Sequence, residues 1–312
     1  MSSVLYDDMM EHLAIREMEL APSSFAVSRR VLLSFAEIDL ISKFFDQHLE
    51  KRKKREKSIT EDDVFTWLQP KYAALARGTI APQVCCLRKF SEYLRQQGIS
   101  AYVPPNTKVP DNYVPYLFSN AEIQRIFKEV DSMKFPSGGN LRLELPMLLR
   151  MLYCCGFRLS ELLAVRIGDI SFERGVVFLK NTKNRKQRLV PLGNTLTETL
   201  NRYCLAMDLI NSPNNYIFPG RSCGTHISRC QVEHVFKELL ENLGIYTRPN
   251  EHTKGPCLHC FRHLFALKSF AQAEQAGRPV NDSIPFLSIY MGHCDLTETE
   301  KYLKFSSDMF PE

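Results

Sequence analysis

Hydrophobic side chains recur at helical spacing along most of the chain. Between residues 28 and 48 the apolar positions fall on one face of a helix, and a second helix begins near Thr60, where the acids that follow suit a helix N-terminus. A third helix is predicted over residues 80–97. Residues 1–20 are acidic and rich in Met, and we interpret them as an N-terminal extension with helical potential. The pattern predicts a small, all-helical domain at residues 21–100.

A polar segment with three prolines, residues 101–112, interrupts this pattern. Because proline cannot continue a helix and favours an extended chain, we place a linker here and a second domain at residues 113–312. Helices are predicted in that domain at residues 119–130, 141–153, 195–210, 228–243, 259–276, 283–291 and 296–303. Alternating and β-forming residues predict antiparallel strands at residues 166–172, 175–180 and 186–192. The expected fold class is mainly α with a small three-stranded antiparallel β-sheet (α+β), in two domains.

Length and composition limit the classes of protein that fit. The chain of 312 residues can form two domains with hydrophobic cores, and its formal net charge of +5 permits nucleic-acid binding without requiring it. No run of 18 apolar residues occurs and the N-terminus is acidic, so we expect no transmembrane helix and no signal peptide. The ten cysteines do not resemble a disulfide framework in a chain of this size, which favours a reducing cytoplasm.

Candidate chemistry is concentrated between residues 258 and 312. His259 and Arg262 are three residues apart in a predicted helix, so both point to one side of it. His293 follows a Met-Gly break, and Tyr302 comes nine residues later. Arginine binds two phosphate oxygens, histidine can donate to a third, and a phenol beside them is a candidate nucleophile. The combination favours a phosphate site, although core packing explains each residue taken singly.

Four potential zinc ligands also lie close together, at Cys257, His259, Cys260 and His263. A structural zinc site needs a second, spaced pair of ligands, and nothing nearby supplies one convincingly. Helical spacing explains the same residues without a metal, so we expect neither a metal nor a cofactor.

Charged residues upstream have two interpretations each. Arg158 precedes a predicted helix with Glu161 three residues later, which is either an anion-facing arginine with its supporting carboxylate or a surface ion pair of little energy. Basic residues crowd the second hairpin, which is either a ribbon that touches DNA or an exposed charged turn. The basic run at residues 51–57 is either a solvated helix end or a segment that contacts phosphate. The DNA-binding candidates are Lys51, Arg52, Lys53, Lys54 and Arg55 in that run and Lys180, Arg185, Lys186 and Arg188 in the hairpin.

Four segments of the second domain occur in a recognisable order. They read GFRLSELLAVRIGDI, TKNRKQRLVPL, HCFRHLFA and YMGHCDLTETEKYLKFS. They resemble the ordered motifs of the tyrosine recombinase family, the phage-integrase and Xer-like enzymes, over the whole second domain. The helical first domain and its linker resemble the core-binding (SAM-like) DNA-binding domain of that family.

The resemblance implies a role for each motif residue and a reaction. It assigns catalytic roles to Arg158, Lys183, His259, Arg262, His293 and the nucleophile Tyr302, with Glu161 as the supporting acid. The implied enzyme is a site-specific recombinase that cleaves and rejoins DNA strands through a 3′-phosphotyrosyl intermediate, without ATP or a metal. The implied partners are double-stranded DNA with specific sites and a homotetramer on synapsed DNA, with or without a sister recombinase or accessory protein, and no membrane. The implied location is the bacterial cytoplasm, with the enzyme at the nucleoid when it is bound to DNA.

Three alternatives stay open at this point. A type IB topoisomerase shares the chemistry, but the small helical first domain and the short chain favour the recombinase. A non-catalytic DNA-binding relative is opposed by the presence of all six expected catalytic residue types and Glu161. A zinc-dependent binding module built on Cys257 and Cys260 predicts loss of the fold on chelation.

Overall fold

A computed structural model describes residues 5–46, 58–109, 115–133, 140–180, 187–246, 255–293 and 295–305, with only the backbone given for residues 37–46, 304 and 305. Helices dominate these residues, and a three-stranded antiparallel sheet accompanies them, so the predicted fold class is confirmed. The chain divides into two compact units, residues 1–111 and 112–312. None of the described helices is both long and apolar enough to span a membrane.

The first unit packs helices around a single apolar core. Its elements are α1 (Tyr6–Glu19), α2 (Pro22–Asp46), β1 (Ser58–Ile59), α3 (Glu61–Ala74), α4 (Arg77–Gln96) and β2 (Ser100–Ala101). At the start of α3, the Thr60 hydroxyl accepts a hydrogen bond from the Asp63 N–H, and the Asp63 carboxylate accepts one from the Thr60 N–H. This reciprocal cap explains why the sequence signal near Thr60 located the helix correctly.

Two features of this unit differ from the sequence-based expectation. Residues 1–20 are not a separate extension over their described part, because Met9 and Leu13 of α1 are buried in the same core as α2 and α4. The expected linker also begins too early. Ser100–Ala101 pairs in parallel with Ser58–Ile59, and the Ala101 side chain is buried, so this backbone is fixed by strand pairing rather than extended in solvent.

The second unit is built around α6, which packs against α5, α7, α8 and α10. Its elements are α5 (Asn120–Ser132), α6 (Leu141–Cys155), α7 (Leu159–Leu163), β3 (Ile170–Ser171), β4 (Val176–Leu179), β5 (Arg188–Pro191), α8 (Asn194–Ala206), α9 (Arg229–Asn242), α10 (His259–Gln275), α11 (Val280–Met291) and α12 (Thr297–Glu300). Short 3-10 helices occupy Ile167–Asp169 and Lys301–Phe305. Apolar side chains of α6 occupy most of its circumference, as expected for a helix that neighbouring elements cover.

The sheet has the order β3-β4-β5, with both pairs antiparallel. Val177 and Leu179 of β4 point into the core of the unit. The first predicted strand, residues 166–172, is mostly wrong: it begins with a 3-10 turn, in which the Asp169 carboxylate accepts a hydrogen bond from the Arg166 N–H at 3.0 Å. This local hydrogen bond competes with strand pairing, so the strand is restricted to Ile170–Ser171.

Two helix ends position the residues of interest. Gly156 directly follows α6 and Gly292 directly follows α11, with φ of 61° and 66° respectively. Glycine adopts this left-handed conformation without the penalty that a Cβ brings. The last carbonyl groups of each helix have no partner within the helix and are available as acceptors.

Candidate active site

Two arginines meet at the carboxyl end of α11. Arg262, on the first turn of α10, is 2% exposed and donates to the carbonyls of Gly156 and Met291, both at 2.6 Å. Arg158, which precedes α7, donates to the carbonyls of Met291 and Gly292 at 3.3 Å. Helix carboxyl ends carry partial negative charge and therefore stabilise guanidinium groups. Burial, followed by the charge of Arg158, lowers the pKa of Arg262 to about 10, so this side chain stays charged at neutral pH.

Glu161 is a buried carboxylate shared by two arginines. Its Oε1 accepts from Arg158 Nη1 at 2.9 Å, and its Oε2 accepts from Arg188 Nη2 at 2.8 Å. Burial by itself raises the pKa of Glu161, but hydrogen bonds and charge from Arg188, then from Arg158, outweigh it and hold the pKa below its ordinary value. Glu161 is therefore ionised at neutral pH and fixes the orientation of Arg158. This geometry fits the supporting role predicted for Glu161.

The contacts of His293 define its tautomer. Arg262 Nη2 lies 3.2 Å from His293 Nε2, and because arginine can only donate, Nε2 accepts and carries no proton. Nδ1 then carries the proton and donates to the Thr299 hydroxyl at 2.7 Å. Burial, followed by the charges of Arg262, Arg158 and Arg188, lowers the pKa of His293 to about 4. The imidazole is thus neutral at pH 7, with a basic nitrogen that faces the arginines.

Tyr302 lies beside these groups, in the 3-10 helix that follows α12. It is 6% exposed, and its ring stacks nearly parallel to His293 with centroids 6.2 Å apart. His263 lies against it at 5.5 Å. Burial raises the pKa of Tyr302, while Arg262 and Arg158 act in the opposite direction. The phenol is therefore neutral at pH 7 and next to two positive charges.

His259 lies at the edge of this cluster, exposed on the first turn of α10. Its ring is perpendicular to that of His263, with centroids 4.7 Å apart. Burial, followed by the neighbouring side chains of His259 and Arg262, lowers the pKa of His263 to about 3, so His263 is neutral. His259 and Arg158 line a cavity of about 530 Å³, which brings His259 to the same opening as Arg158.

Two of the four potential zinc ligands are in contact. Cys257 and Cys260 bring their Sγ atoms to 3.7 Å. Among the residues that the structure describes, no group of three or more His, Cys, Asp or Glu side chains could hold a metal ion. In this part of the chain the fold does not assemble the ligand set that a zinc-dependent module requires.

The DNA-binding candidates divide into three groups. The first group lies outside the described residues, as does the predicted catalytic Lys183, and consists of Lys51, Arg52, Lys53, Lys54, Arg55, Arg185 and Lys186. Lys180 is half exposed, and its Nζ lies 2.5 Å from the Asp169 carboxylate. Both terminal nitrogens of Arg188 hydrogen-bond Glu161 and its side chain is only 10% exposed, so the DNA contact expected of Arg188 stays a prediction that these contacts do not favour.

Sequence reasoning missed two side chains at this site, Thr299 and Glu298, and assigned a third, Arg188, to a DNA contact instead. The Oε2 of Glu298 lies 4.0 Å from both Arg158 Nη2 and His293 Nε2. Thr299 and Glu298 come from α12, directly before the 3-10 helix of Tyr302, and Arg188 comes from β5. The burial of Thr299 points to its role, since the hydroxyl of a fully buried threonine needs a hydrogen-bond partner. Nothing local in the sequence identified the ion pair of Arg188.

The arrangement has a definite chemical capacity. Arg158 and Arg262 place two positive charges beside a phenol, and a neutral imidazole offers a basic nitrogen next to them. Such a site can bind an anion and stabilise further negative charge on it, while the phenol oxygen is a potential nucleophile. The fold brings together Arg158, Glu161, Arg262, His293 and Tyr302 among the predicted residues, and it places His259 at the margin.

The match to a known family agrees with this geometry. Residues 117–308 match the model of the phage integrase family, which is more than half of the chain. The chain therefore belongs to the phage integrase family, and the family and enzyme class predicted from its motifs, a tyrosine-type DNA strand transferase, are confirmed.

Related sequences are tyrosine recombinases. The tyrosine recombinase XerC of Oceanobacillus iheyensis is 27% identical over 271 residues, which cover 82% of this chain and 79% of that protein. The tyrosine recombinase XerD of Rickettsia bellii is 25% identical over 301 residues, covering 91% of each chain. The similarity to XerD thus extends over both structural units.

Solved structures share the fold at low sequence identity. A crystal structure of the XerH site-specific recombinase in a post-cleavage complex with its difH substrate gives a TM-score of 0.66 at 17% identity, covering 92% of this chain and 80% of that chain. A lambda integrase dimer bound to a COC′ core site gives a TM-score of 0.68 at 14% identity, covering 100% and 99%. These similarities show the fold alone.

Proposed function

We propose that this protein is a site-specific DNA recombinase in which Tyr302 attacks the scissile phosphate and forms a 3′-phosphotyrosyl intermediate. One observation carries the proposal: Arg158 and Arg262 are held at the same helix end, directly beside the buried phenol of Tyr302. Family membership supports recombination as the overall reaction. The assignment of individual residues rests on the geometry of the site.

The proposed cleavage step uses the charges in the site. Arg158 and Arg262 bind the two non-bridging oxygens of the phosphate and stabilise the negative charge that develops on them. The Tyr302 oxygen attacks phosphorus as its proton leaves, and the neutral His293 assists that proton transfer through Nε2. His259, at the opening of the site, donates a further hydrogen bond to the phosphate.

The leaving group and the second step complete the reaction. The bond between phosphorus and the 5′-oxygen breaks, and we assign protonation of that oxygen to Lys183. The phosphotyrosyl bond retains the energy of the broken ester. A 5′-hydroxyl from a partner duplex then attacks the same phosphorus, releases Tyr302 and joins the exchanged strands. The arginines neutralise charge on the phosphate, so the proposed reaction needs neither ATP nor a metal.

The proposed partner is double-stranded DNA with specific sites. The structural relatives XerH and lambda integrase are described in complexes with their recombination sites, which supports the same kind of ligand here. A homotetramer on two synapsed duplexes follows from the need to exchange strands between partners, with or without a sister recombinase or accessory protein. The proposed location is the bacterial cytoplasm, with the enzyme at the nucleoid when bound to DNA.

Covalent trapping in EDTA tests this proposal. Wild-type protein, Tyr302→Phe and Arg262→Lys are incubated with nicked duplexes tiled from the DNA that flanks the gene, and adducts are resolved on a denaturing gel. We expect an adduct with wild type, none with Tyr302→Phe despite retained DNA binding, and severe loss with Arg262→Lys, because lysine cannot replace the two-pronged guanidinium.

The same experiment, together with a plasmid-relaxation assay, separates the alternative functions. Near-normal adducts with Tyr302→Phe would mean that the nucleophile is wrongly assigned. Binding to the same DNA by all three proteins without any adduct would favour a non-catalytic relative. Relaxation of supercoiled plasmids that lack a specific site, blocked by Tyr302→Phe, would favour a type IB topoisomerase-like activity.

A further inference from the structure

We propose that Arg188 is a positioning residue for the cleavage reaction, holding Glu161 and the carboxyl end of α11 so that Arg158 points at the scissile phosphate. This inference rests on the proposed function of the site. Arg188 is the first residue of β5, 27 positions from Glu161 in the chain, and its only assignment from the sequence was as a DNA contact.

The first observation is the shared carboxylate. Arg188 Nη2 and Nη1 lie 2.8 and 3.4 Å from the two oxygens of Glu161, and Arg158 Nη1 lies 2.9 Å from one of them. The side chains of Glu161 and Arg188 are 3% and 10% exposed. A buried carboxylate between two guanidinium groups has a single low-energy orientation, whereas removal of one partner leaves it free to rotate towards the other. Arg188 thereby decides where Glu161 holds Arg158.

The second observation is the contact with Gly292. A Cβ built on Gly292 would lie 2.7 Å from Arg188 Nη1, so the guanidinium packs directly on the backbone of this residue. The Gly292 carbonyl accepts hydrogen bonds from Arg158 at 3.3 and 3.4 Å. Arg188 therefore abuts two of the groups that orient Arg158: the carboxylate of Glu161 and the peptide of Gly292.

The same contacts argue against a direct role in binding DNA. Both terminal nitrogens of Arg188 are directed at Glu161, whereas Arg158 and Arg262 are the arginines whose charge acts on Tyr302. Exchanging Glu161 for a DNA phosphate would leave a buried carboxylate with only Arg158 as its charged partner. Arg188 acts through the side chain of Arg158 and does not touch the reacting atoms.

The test compares Arg188→Met and Arg188→Lys with wild type on a nicked substrate that traps the covalent adduct. Single-turnover cleavage rate, DNA affinity and thermal stability are measured for each protein. For Arg188→Met we expect a cleavage rate about 10- to 100-fold lower with DNA affinity unchanged, because a misplacement of about 1 Å at a reacting centre has an effect of this size. Arg188→Lys keeps the charge and restores part of the rate.

A pH profile provides a readout that a purely structural role would not move. Among the described residues, the charged or titratable groups around Glu161 include, besides Arg188, the arginines Arg158 and Arg262, Arg166 and the Lys180–Asp169 pair at an adjoining cavity, and His293 and Glu298 near Arg158. Loss of Arg188 removes the largest influence that lowers the Glu161 pKa. The folded-state pKa of Glu161 then rises, so as the pH is lowered, cleavage by Arg188→Met should begin to decline at a higher pH than cleavage by wild type.

Arg150→Met is the control, because Arg150 forms a two-pronged but more exposed ion pair with Asp131, at 2.7 and 2.9 Å, elsewhere in the second unit. It should lose stability without losing cleavage rate. The inference is overturned if Arg188→Met cleaves at the wild-type rate, or if its rate loss is matched by weaker DNA binding with a reduced salt dependence, which marks a phosphate contact. Absence of any wild-type adduct refutes the proposed function instead.

Discussion

Single polar contacts decide the chemical state of the candidate site. His293 is neutral with its proton on Nδ1, because Arg262 donates to Nε2 and the Thr299 hydroxyl accepts from Nδ1. If this proton moved from Nδ1 to Nε2, the Nε2–H donor would face the N–H donor of Arg262. Residues that never touch the phosphate, such as Thr299, therefore determine whether His293 can assist proton transfer from Tyr302.

Replacement of Thr299 tests this dependence. Thr299→Val removes the acceptor for Nδ1–H from a fully buried position, so we expect His293 to lose the hydrogen bond that orients its ring and adduct formation to slow by about 10-fold or more. Thr299→Ser keeps the hydroxyl and should stay close to wild type. Rates are compared on the nicked substrate after confirming cooperative unfolding of each variant. Equal rates for the Val and Ser proteins would contradict this dependence.

Glu298 offers a second prediction at this scale. Its side chain is half exposed, and its carboxylate lies 4.0 Å from both Arg158 and His293. In this position the carboxylate competes with a bound phosphate for the positive charge of Arg158. We expect Glu298→Gln to bind DNA about 2- to 5-fold more tightly, with the gain shrinking as salt is raised. Glu300→Gln, an exposed neighbour with the same change in charge, is the control in a fluorescence-anisotropy titration. An identical gain in both variants would point to net charge alone.

At the scale of elements, helix ends rather than helix faces build the site. The carboxyl ends of α6 and α11 supply the carbonyls that hold Arg262, and that of α11 also holds Arg158. Each end turns at a left-handed glycine, which lets the chain leave the helix within one residue. These carbonyls have no N–H donor within their own helix, and the arginines supply one. The same hydrogen bonds therefore cap the helices and orient the guanidinium groups.

Gly292 can be tested against a glycine of the same conformation. Gly292 and Gly244 both have φ of +66°, but a Cβ at Gly292 would meet the Arg188 guanidinium at 2.7 Å, whereas a Cβ at Gly244 would meet nothing within 4 Å. Each substitution to Ala should cost roughly 1 kcal/mol of stability through left-handed strain. Only Gly292→Ala should also lose most adduct formation. Similar activity in the two variants would show that the Arg188 contact adjusts without consequence.

At the scale of the whole molecule, two units with their own cores carry the chain. Within the second unit, the buried carboxyl of Glu144 departs from the usual rule that buried polar atoms are paired. Glu144 on α6 is 3% exposed, and its Oε1 has no hydrogen-bond partner among the described residues. Burial raises the pKa of this carboxyl to about 7. The core that supports the site therefore contains a carboxyl group that must ionise near neutral pH.

This group makes stability depend on pH. The folded-state pKa of about 7 lies above the ordinary value of 4.5, so the folded protein binds more protons between these values, and stability falls as the pH rises through them. Glu144→Gln should match wild type at pH 5 and exceed it by about 2 kcal/mol at pH 8. Urea unfolding at pH 5, 6, 7 and 8 measures the difference. Glu198→Gln, at an exposed site, should remain parallel to wild type, and a Glu144→Gln curve that is also parallel would refute the assignment.

Local sequence signals predicted most of the fold. Helical periodicity located the long helices to within a few residues, and the reciprocal cap at Thr60 and Asp63 marked the start of α3. One failure was local in origin and the other depended on tertiary packing. The hydrogen bond between Arg166 and Asp169 replaced most of the first predicted strand with a 3-10 turn, and the burial of α1 could not be known before its neighbours were placed.

The sequence by itself determined the family, the fold class and the residue types of the site, because ordered motifs and hydrophobic periodicity are properties of the linear chain. Only the tertiary structure decided which charges are available to a ligand. The sequence assigned both Arg158 and Arg188 to contacts with a ligand anion or DNA, yet one reaches the opening of the site and the other is held at the far side of Glu161. Burial and hydrogen-bond geometry separate their roles, and both arise only when segments far apart in the chain pack together.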